Sequence, residues 1–424
     1  MLIKFVFENF LSFKKSTIID FEGASIREIP ENTVTISNVF PETKILKSLA
    51  LYGSNASGKS NIIKAFNFTR NFVLTSVSDG KSFQNIPVEP YKLDPTTETK
   101  PSLFEVTILV EGIKYRYGFA LTQKEVISEW LYSIEKRKEE NLFERIGQGF
   151  EIDKKFKTEA EGNALMLSKI TRENALFITT LGQFKSNTAK KILEWFDKSI
   201  VIFDSNNQEI LNYTAGLLNQ PYYKRRILEI ISKADLSFSS IEAEVKDAAN
   251  RSGYSEGFVA ALYDKDIKNY RIYTNHEKHS ERKLAGHVRF DLEINESLGS
   301  QKFVVLLGPL LKTIKEASII WIDELDARLH TNLLLFVLRF FNSRLNNPHG
   351  SQLVYSSHNS VVLRKDLRRD QMIFVKRDPF NGSIITTLHN WDSKIRSDAS
   401  FDKDYLEGKY GAVPRIDLSP DLFD

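Results

Sequence analysis

The chain contains no cysteine among its 424 residues. That absence excludes disulfide frameworks, Cys-ligated zinc, iron–sulfur clusters and thiol nucleophiles. Net charge is also scarce: 58 Lys and Arg against 55 Asp and Glu leave +3. Charge alone therefore names no partner, and any nucleic-acid contact needs a local basic surface. Long apolar runs are missing too. The longest, Phe303 to Leu311, is broken by Gly308 and Pro309 and falls far short of the roughly 18 residues of a membrane helix, so no membrane partner is expected. The opening MLIKFVFENF places Glu8 and Asn9 where a signal peptide stays apolar, and a cytoplasmic location is the expectation. There is no internal repeat, no Pro-rich linker and no sustained heptad pattern.

The chain does have 42% hydrophobic residues, with Phe alone at 30 positions. This is ample for a large core and too much chain for one ordinary domain, so two lobes are expected. LIKFVFENFLSF, Thr33 to Ser37 and Ser48 to Tyr52 read as strands, and FEVTILV and KYRYGFAL as a hairpin turning at Glu111-Gly112. From about Thr158 to Lys233 the apolar spacing is helical. Ser239 to Arg289 reads as polar and irregular, with strand-like alternation resuming at Val288 to Ile294. The expected division is 1–155, a mainly helical insertion at 156–288, and 289–424.

Gly53-Ser54-Asn55-Ala56-Ser57-Gly58-Lys59-Ser60 fits G-x-x-x-x-G-K-[ST] in full, between the strand SLALY and the helix NIIKAF. The glycines let backbone N–H groups close around phosphates, Lys59 neutralises their charge, Ser60 offers a hydroxyl to Mg²⁺, and the helix dipole points its positive end at the anion. Downstream, Ile319 to Ile322 is an apolar strand ending in Asp323-Glu324. Asp323 is placed to hold Mg²⁺ and Glu324 to polarise an attacking water. A third strand, Gln352 to Ser356, ends at Ser357-His358-Asn359, and Ser297-Leu298-Gly299 opens an apolar helix where a second anion site or a plain N-cap is expected.

The order of these elements resembles the nucleotide-binding heads of the ABC superfamily, in the branch of SMC proteins, double-strand-break repair ATPases and RecF. The resemblance implies an α/β fold: a mixed sheet with a P-loop, an antiparallel β subdomain and a helical insertion. It makes Gly53 to Ser60 Walker A, with Asn61 following. Ser297 and Gly299 become the signature, Asp323-Glu324 Walker B, Asp326 the D-loop residue and His358 the switch histidine. Asn55 would touch the γ-phosphate. It further implies ATP and Mg²⁺, and a homodimer in which each signature closes on the nucleotide of the other head. Gln84 is the one weak candidate for the Q-loop.

Within that superfamily the chain is similar to compact AAA-type ATPases of bacterial abortive-infection systems, RloA or AbiL-like and related to the ATPase half of OLD nucleases. The resemblance runs through E-N-F-x-S-F (Glu8 to Phe13), the phosphate loop, E-S-x-G-x-Q, D-E-L-D-x-x-L-H (Asp323 to His330) and Y-L-x-G-x-Y-G-A-V-P (Tyr405 to Pro414). The interval from Ser60 to Ser297 is too short for long coiled-coil arms, and the stretch after His358 is too short for a Toprim nuclease domain. The implied arrangement is an ATPase that controls a separate effector, an RloB-like or Toprim nuclease. A RecF-like clamp that binds DNA is the alternative reading. Three other features read as non-functional: His276, His279 and His287 as a surface loop, Lys224 to Arg226 with Arg282 and Lys283 as solvated faces, and Asp402-Lys403-Asp404 as a solvated acidic pair.

Overall fold

The computed structural model of the chain describes residues 1–36, 42–78, 85–135, 138–161, 163–203, 208–246, 269–364, 366–391 and 400–413. Its centre is a six-stranded sheet in the spatial order Ile200–Ile202, Ile319–Ile322, Gln352–Ser356, Ser48–Tyr52, Met372–Arg377, Ser383–Thr387. The first five strands run parallel and the last is antiparallel. Strands covered on both faces carry apolar runs rather than alternation. Accordingly every residue of SLALY, IIWI and QLVYS is buried.

A second, seven-stranded antiparallel sheet orders Gly149–Ile152, Lys138–Ile146, Val126–Glu135, Ile113–Leu121, Ser102–Val110, Leu2–Glu8 and Thr17–Asp20. Its hairpin turns at Glu111 and Gly112, at φ 49° and 82°, the two left-handed positions a two-residue connection demands. The helix Lys59–Thr75 lies between the two sheets. Its Phe66 stacks on Trp321 of the central sheet at 4.5 Å and meets Phe5 of the antiparallel sheet edge-on at 5.5 Å. All three rings are fully buried, so the abundant Phe fills the interface that fixes this helix.

The middle segment is not helical throughout. After the helices Ala164–Ile170, Phe177–Gln183 and Asn187–Asp197 it adds Ile200–Ile202 to the edge of the central sheet, in parallel register with Ile320 to Ile322. Within the stretch read as irregular, the described residues form a three-stranded antiparallel sheet, Ser240–Val245, Tyr270–Ser280 and Lys283–Asp291. Its strands are polar because both faces are largely exposed toward the hairpin tip, which erases the period-two hydrophobic signal. Where strand was expected to continue to Ile294, Asp291 caps a helical turn, Leu292–Asn295. The long helix Leu298–Lys315 follows and packs over the other face of the central sheet, where Phe303, Val304, Leu307 and Leu311 are buried. No helix among the described residues is long and apolar enough to cross a membrane.

Candidate nucleotide site

The phosphate loop leaves the buried strand Ser48–Tyr52 at the C-terminal edge of the parallel strands. Its shape depends on glycine at both ends. A Cβ on Gly53 would fall 2.4 Å from the Val375 carbonyl oxygen, and one on Gly58, at φ 115°, would fall 2.3 Å from Ser383 Oγ. Ala56 also takes a left-handed φ, 57°. Ser54 is half-buried, Asn55 and Ala56 are exposed, and Ser57 is buried with a hydroxyl that has no partner. Lys59 begins the helix and is almost wholly buried; its Nζ donates to the carbonyls of Gly53 at 2.8 Å and Ser54 at 3.1 Å. Burial lowers the Lys59 pKa, while the carboxylates of Asp323, Glu324 and Asp326 oppose that shift. Ser60 and Asn61 sit half-buried in the first turn.

Two serines hold this loop from outside the motif. Asn61 Nδ2 donates to Ser12 Oγ at 2.8 Å; the Ser12 and Ser383 hydroxyls lie 2.7 Å apart, and Ser383 donates to the Ser57 carbonyl at 2.6 Å. Ser12 is the serine of the E-N-F-x-S-F opening, so a signal for it was present in the sequence. Ser383 had none.

The carboxylates arrive on the strand Ile319–Ile322. Asp323 is 9% exposed and accepts the Ser356 hydroxyl, which in turn accepts the Glu324 N–H at 2.7 Å. Glu324 is exposed at φ 47°, and its carbonyl accepts Lys302 Nζ at 2.7 Å. Asp326 Oδ2 accepts the His358 N–H at 3.0 Å, while its Oδ1 is buried without a partner. Partial burial and the charge of Lys59 push the His358 imidazole below its ordinary pKa against the pull of Asp326, Glu324 and Asp323. Lys59, Asp323, Glu324, Asp326 and His358 thus form one electrostatic cluster.

Ser297 and Gly299 stand apart from it. Ser297 caps the helix Leu298–Lys315 by accepting Ser300 N–H at 3.2 Å, and Gly299 approaches so closely that a Cβ would lie 2.8 Å from the Arg328 carbonyl. Among the described residues no hydrogen bond joins either to residues 53–61. Gln84 and Pro414 lie outside the described residues.

The other features resolve into structural roles. His276 is on a strand rather than a loop, half-buried between the rings of Phe238 and Phe290, with Nε2 2.6 Å from Glu296 Oε1. No group of three His, Asp or Glu that could hold a metal ion occurs among the described residues. Arg225 and Arg226 pair with Glu229 on one helix face. Asp402 corrects the sequence reading: it is 5% exposed rather than solvated, and accepts Arg364 Nε at 2.6 Å.

A family model described as "AAA domain, putative AbiEii toxin, Type IV TA system" matches residues 48–364, most of the chain and every residue of this cluster. The chain belongs to this family. Within the AAA-domain match lie the phosphate loop, Ser297, Gly299, the Asp323-Glu324 pair and His358. No curated protein matches the chain. Among solved structures it is similar to the SMC head domain from Thermotoga maritima, at 15% identity and TM-score 0.41 over 91% of this chain and 98% of that one. It is also similar to the Smc head domain with an extended coiled coil, bound to the C-terminal domain of ScpA derived from Pyrococcus furiosus, at 12% identity and TM-score 0.44 over 96% and 98%.

Proposed function

We propose that this AAA-family chain binds and hydrolyses ATP with Mg²⁺ and serves as the nucleotide-driven switch of an anti-phage, abortive-infection system. The observation that carries the reading is the gathering of Lys59, Asp323, Glu324, Asp326 and His358 around a complete phosphate loop at the C-terminal ends of parallel strands, where open α/β sheets bind ligands. The residues fit the group. Gly53 and Gly58 avoid the clashes that a Cβ would make with Val375 and Ser383, and backbone N–H groups of the loop with Lys59 would cradle the phosphates. Ser60 and Asp323 would hold Mg²⁺, whose charge offsets that of the phosphates. Glu324 is exposed and its backbone is fixed from both sides by Ser356 and Lys302, so its carboxylate orients a water and takes its proton. His358, its pKa lowered by partial burial and the charge of Lys59, would donate toward the terminal phosphate.

Ser297 is exposed at the N-terminus of the helix Leu298–Lys315, and among the described residues neither it nor Gly299 hydrogen-bonds residues 53–61. This supports a homodimer in which they close on the nucleotide of the second chain, with Asp326 at the seam. The defence role draws on the family's description as a putative AbiEii toxin of a type IV TA system; the effector we propose for it is a separate RloB-like or Toprim nuclease. The test is mass measurement with ATP: Glu324→Gln retains ATP and shifts to dimer mass, and Lys59→Ala does neither. A Glu324→Gln protein that stays monomeric and nucleotide-free sinks the reading.

A further inference from the structure

The helix Phe401–Leu406, remote in sequence from every motif of the site, lies across it. Tyr405 is 5% exposed; its ring meets Tyr52 edge-on at 5.6 Å and stacks on Phe374 at 5.8 Å, and Phe374 stacks in turn on Tyr410 at 4.6 Å. The Tyr405 ring thereby packs against the residue that immediately precedes Gly53, the first of the phosphate loop. One turn earlier on the same helix, Asp402 accepts Arg364 Nε at 2.6 Å. Arg364 closes the 3₁₀ turn Ser360–Leu363, which directly follows His358 and Asn359. The circuit is completed inside the core, where the Tyr52 hydroxyl donates to the Asn359 carbonyl at 3.0 Å. Tyr52 immediately precedes Gly53, and Asn359 immediately follows His358. The helix therefore touches both halves of the site, one through Tyr405 and the other through Asp402.

We propose that the helix Phe401–Leu406 is a brace that makes the phosphate loop and the His358 turn move as one body, with Tyr405 the positioning residue for the loop. Losing buried ring contacts beside the loop makes its local opening easier, so the loop amides are the place to read the effect. The consequence for nucleotide rests on the function proposed above; the brace itself does not.

Tyr405→Leu removes the ring contacts and keeps an apolar side chain, with Tyr405→Phe, which keeps the rings, as the conservative control. Without nucleotide, hydrogen exchange of the peptide spanning Gly53 to Gly58 in Tyr405→Leu is expected to quicken roughly 2- to 12-fold, the range set by lost aromatic contacts, while exchange of the strand Leu2–Glu8 stays unchanged. The KM for ATP rises by a similar factor with kcat at saturation nearly constant. Asp402→Asn, which weakens the other anchor, is expected to quicken exchange in the Ser360–Arg364 peptide and, through the brace, in the loop. Unchanged loop exchange in Tyr405→Leu overturns the proposal, as does an equal rise over the whole chain, which would mark a merely structural contact. Faster loop exchange in a protein whose wild type binds no ATP upholds the brace and removes the ATPase reading.

Discussion

Ser356 and Asp323, on neighbouring parallel strands, are joined by a hydrogen bond from hydroxyl to carboxylate, and the same hydroxyl accepts the Glu324 N–H. The register explains it: Ile322 pairs with Tyr355, so the next residues of each strand, Asp323 and Ser356, face each other beyond the last rung. Ser356→Ala leaves a buried carboxylate oxygen and an N–H without partners. A loss of about 1–3 kcal/mol of stability is expected in urea unfolding. The ATPase rate falls further than stability alone accounts for, because both acids lose their anchor. A wild-type rate in Ser356→Ala would contradict that positioning role.

Gly58 sits at φ 115° against Ser383. Gly58→Ala meets both a left-handed backbone, unfavourable for an L-residue by roughly 1–2 kcal/mol, and a clash with the Ser383 hydroxyl. The melting temperature drops and ATP binding is lost. Ser383→Gly removes the clash but also the hydrogen bonds of Ser383 to Ser12 and the Ser57 carbonyl, so calorimetry compares the double variant with Ser383→Gly alone, and Gly58→Ala costs less in that background. No cost in that background would assign the whole effect to the clash.

Inside the antiparallel sheet, Glu129 and Arg145 are both fully buried and lie 3.6 Å apart. Glu129 also accepts the N–H groups of Phe177 and Ile178 and the hydroxyl of Tyr117, and Arg145 donates to the carbonyls of Gly147 and Ala175. Arg145→Met strands a buried carboxylate and is expected to cost about 3–5 kcal/mol in denaturant unfolding. Arg145→Met with Glu129→Gln costs less than the two single changes added together. Strict additivity would mean that the two charges do not interact.

Lys47 is buried, its Nζ donates to the Asn342 carbonyl at 2.9 Å, and burial, aided by the charge of Arg344, lowers its pKa from 10.5 to about 8. Between those values the unfolded chain holds the proton and the folded chain does not, so this group adds stability as pH rises from 8 toward 10.5 and none below 8. Lys47→Met has no such proton to release. The stability of wild type relative to Lys47→Met therefore rises across that window when measured by urea unfolding at successive pH values. A pH-independent difference would show that Lys47 titrates normally.

Much of the site is legible in the sequence because its chemistry is local. The run from Gly53 to Asn61 encodes in consecutive residues the backbone freedom, cation and hydroxyl that a phosphate loop needs. Asp323-Glu324 and His358 each come after a short apolar strand that only a buried parallel sheet would carry. The Glu111-Gly112 turn is legible for the same reason, since two left-handed positions suit that pair. Ser356 and Ser383 are silent: a lone serine has no pattern, and each acquires its role only by meeting a residue far away in the chain, Asp323 and Ser57 respectively. Tyr405 opens the Y-L-x-G-x-Y-G-A-V-P pattern, but its packing on Tyr52 could not be read there.

The polar strand Tyr270–Ser280 and the part of Lys283–Asp291 before Val288 are illegible for a complementary reason, because exposure on both faces leaves no hydrophobic period to read. Asp402 reads as solvated in the sequence because its partner, Arg364, comes from another segment. The sequence by itself determined the phosphate loop, the apolar strands and the acids at their ends, because those depend on neighbouring residues and a period of two or a helical turn. Only the tertiary structure decided which strands lie side by side, which hydroxyl holds which carboxylate, and that the helix Phe401–Leu406 reaches the loop. Those are pairings between distant residues, made by burial of a shared core that no local stretch of chain specifies.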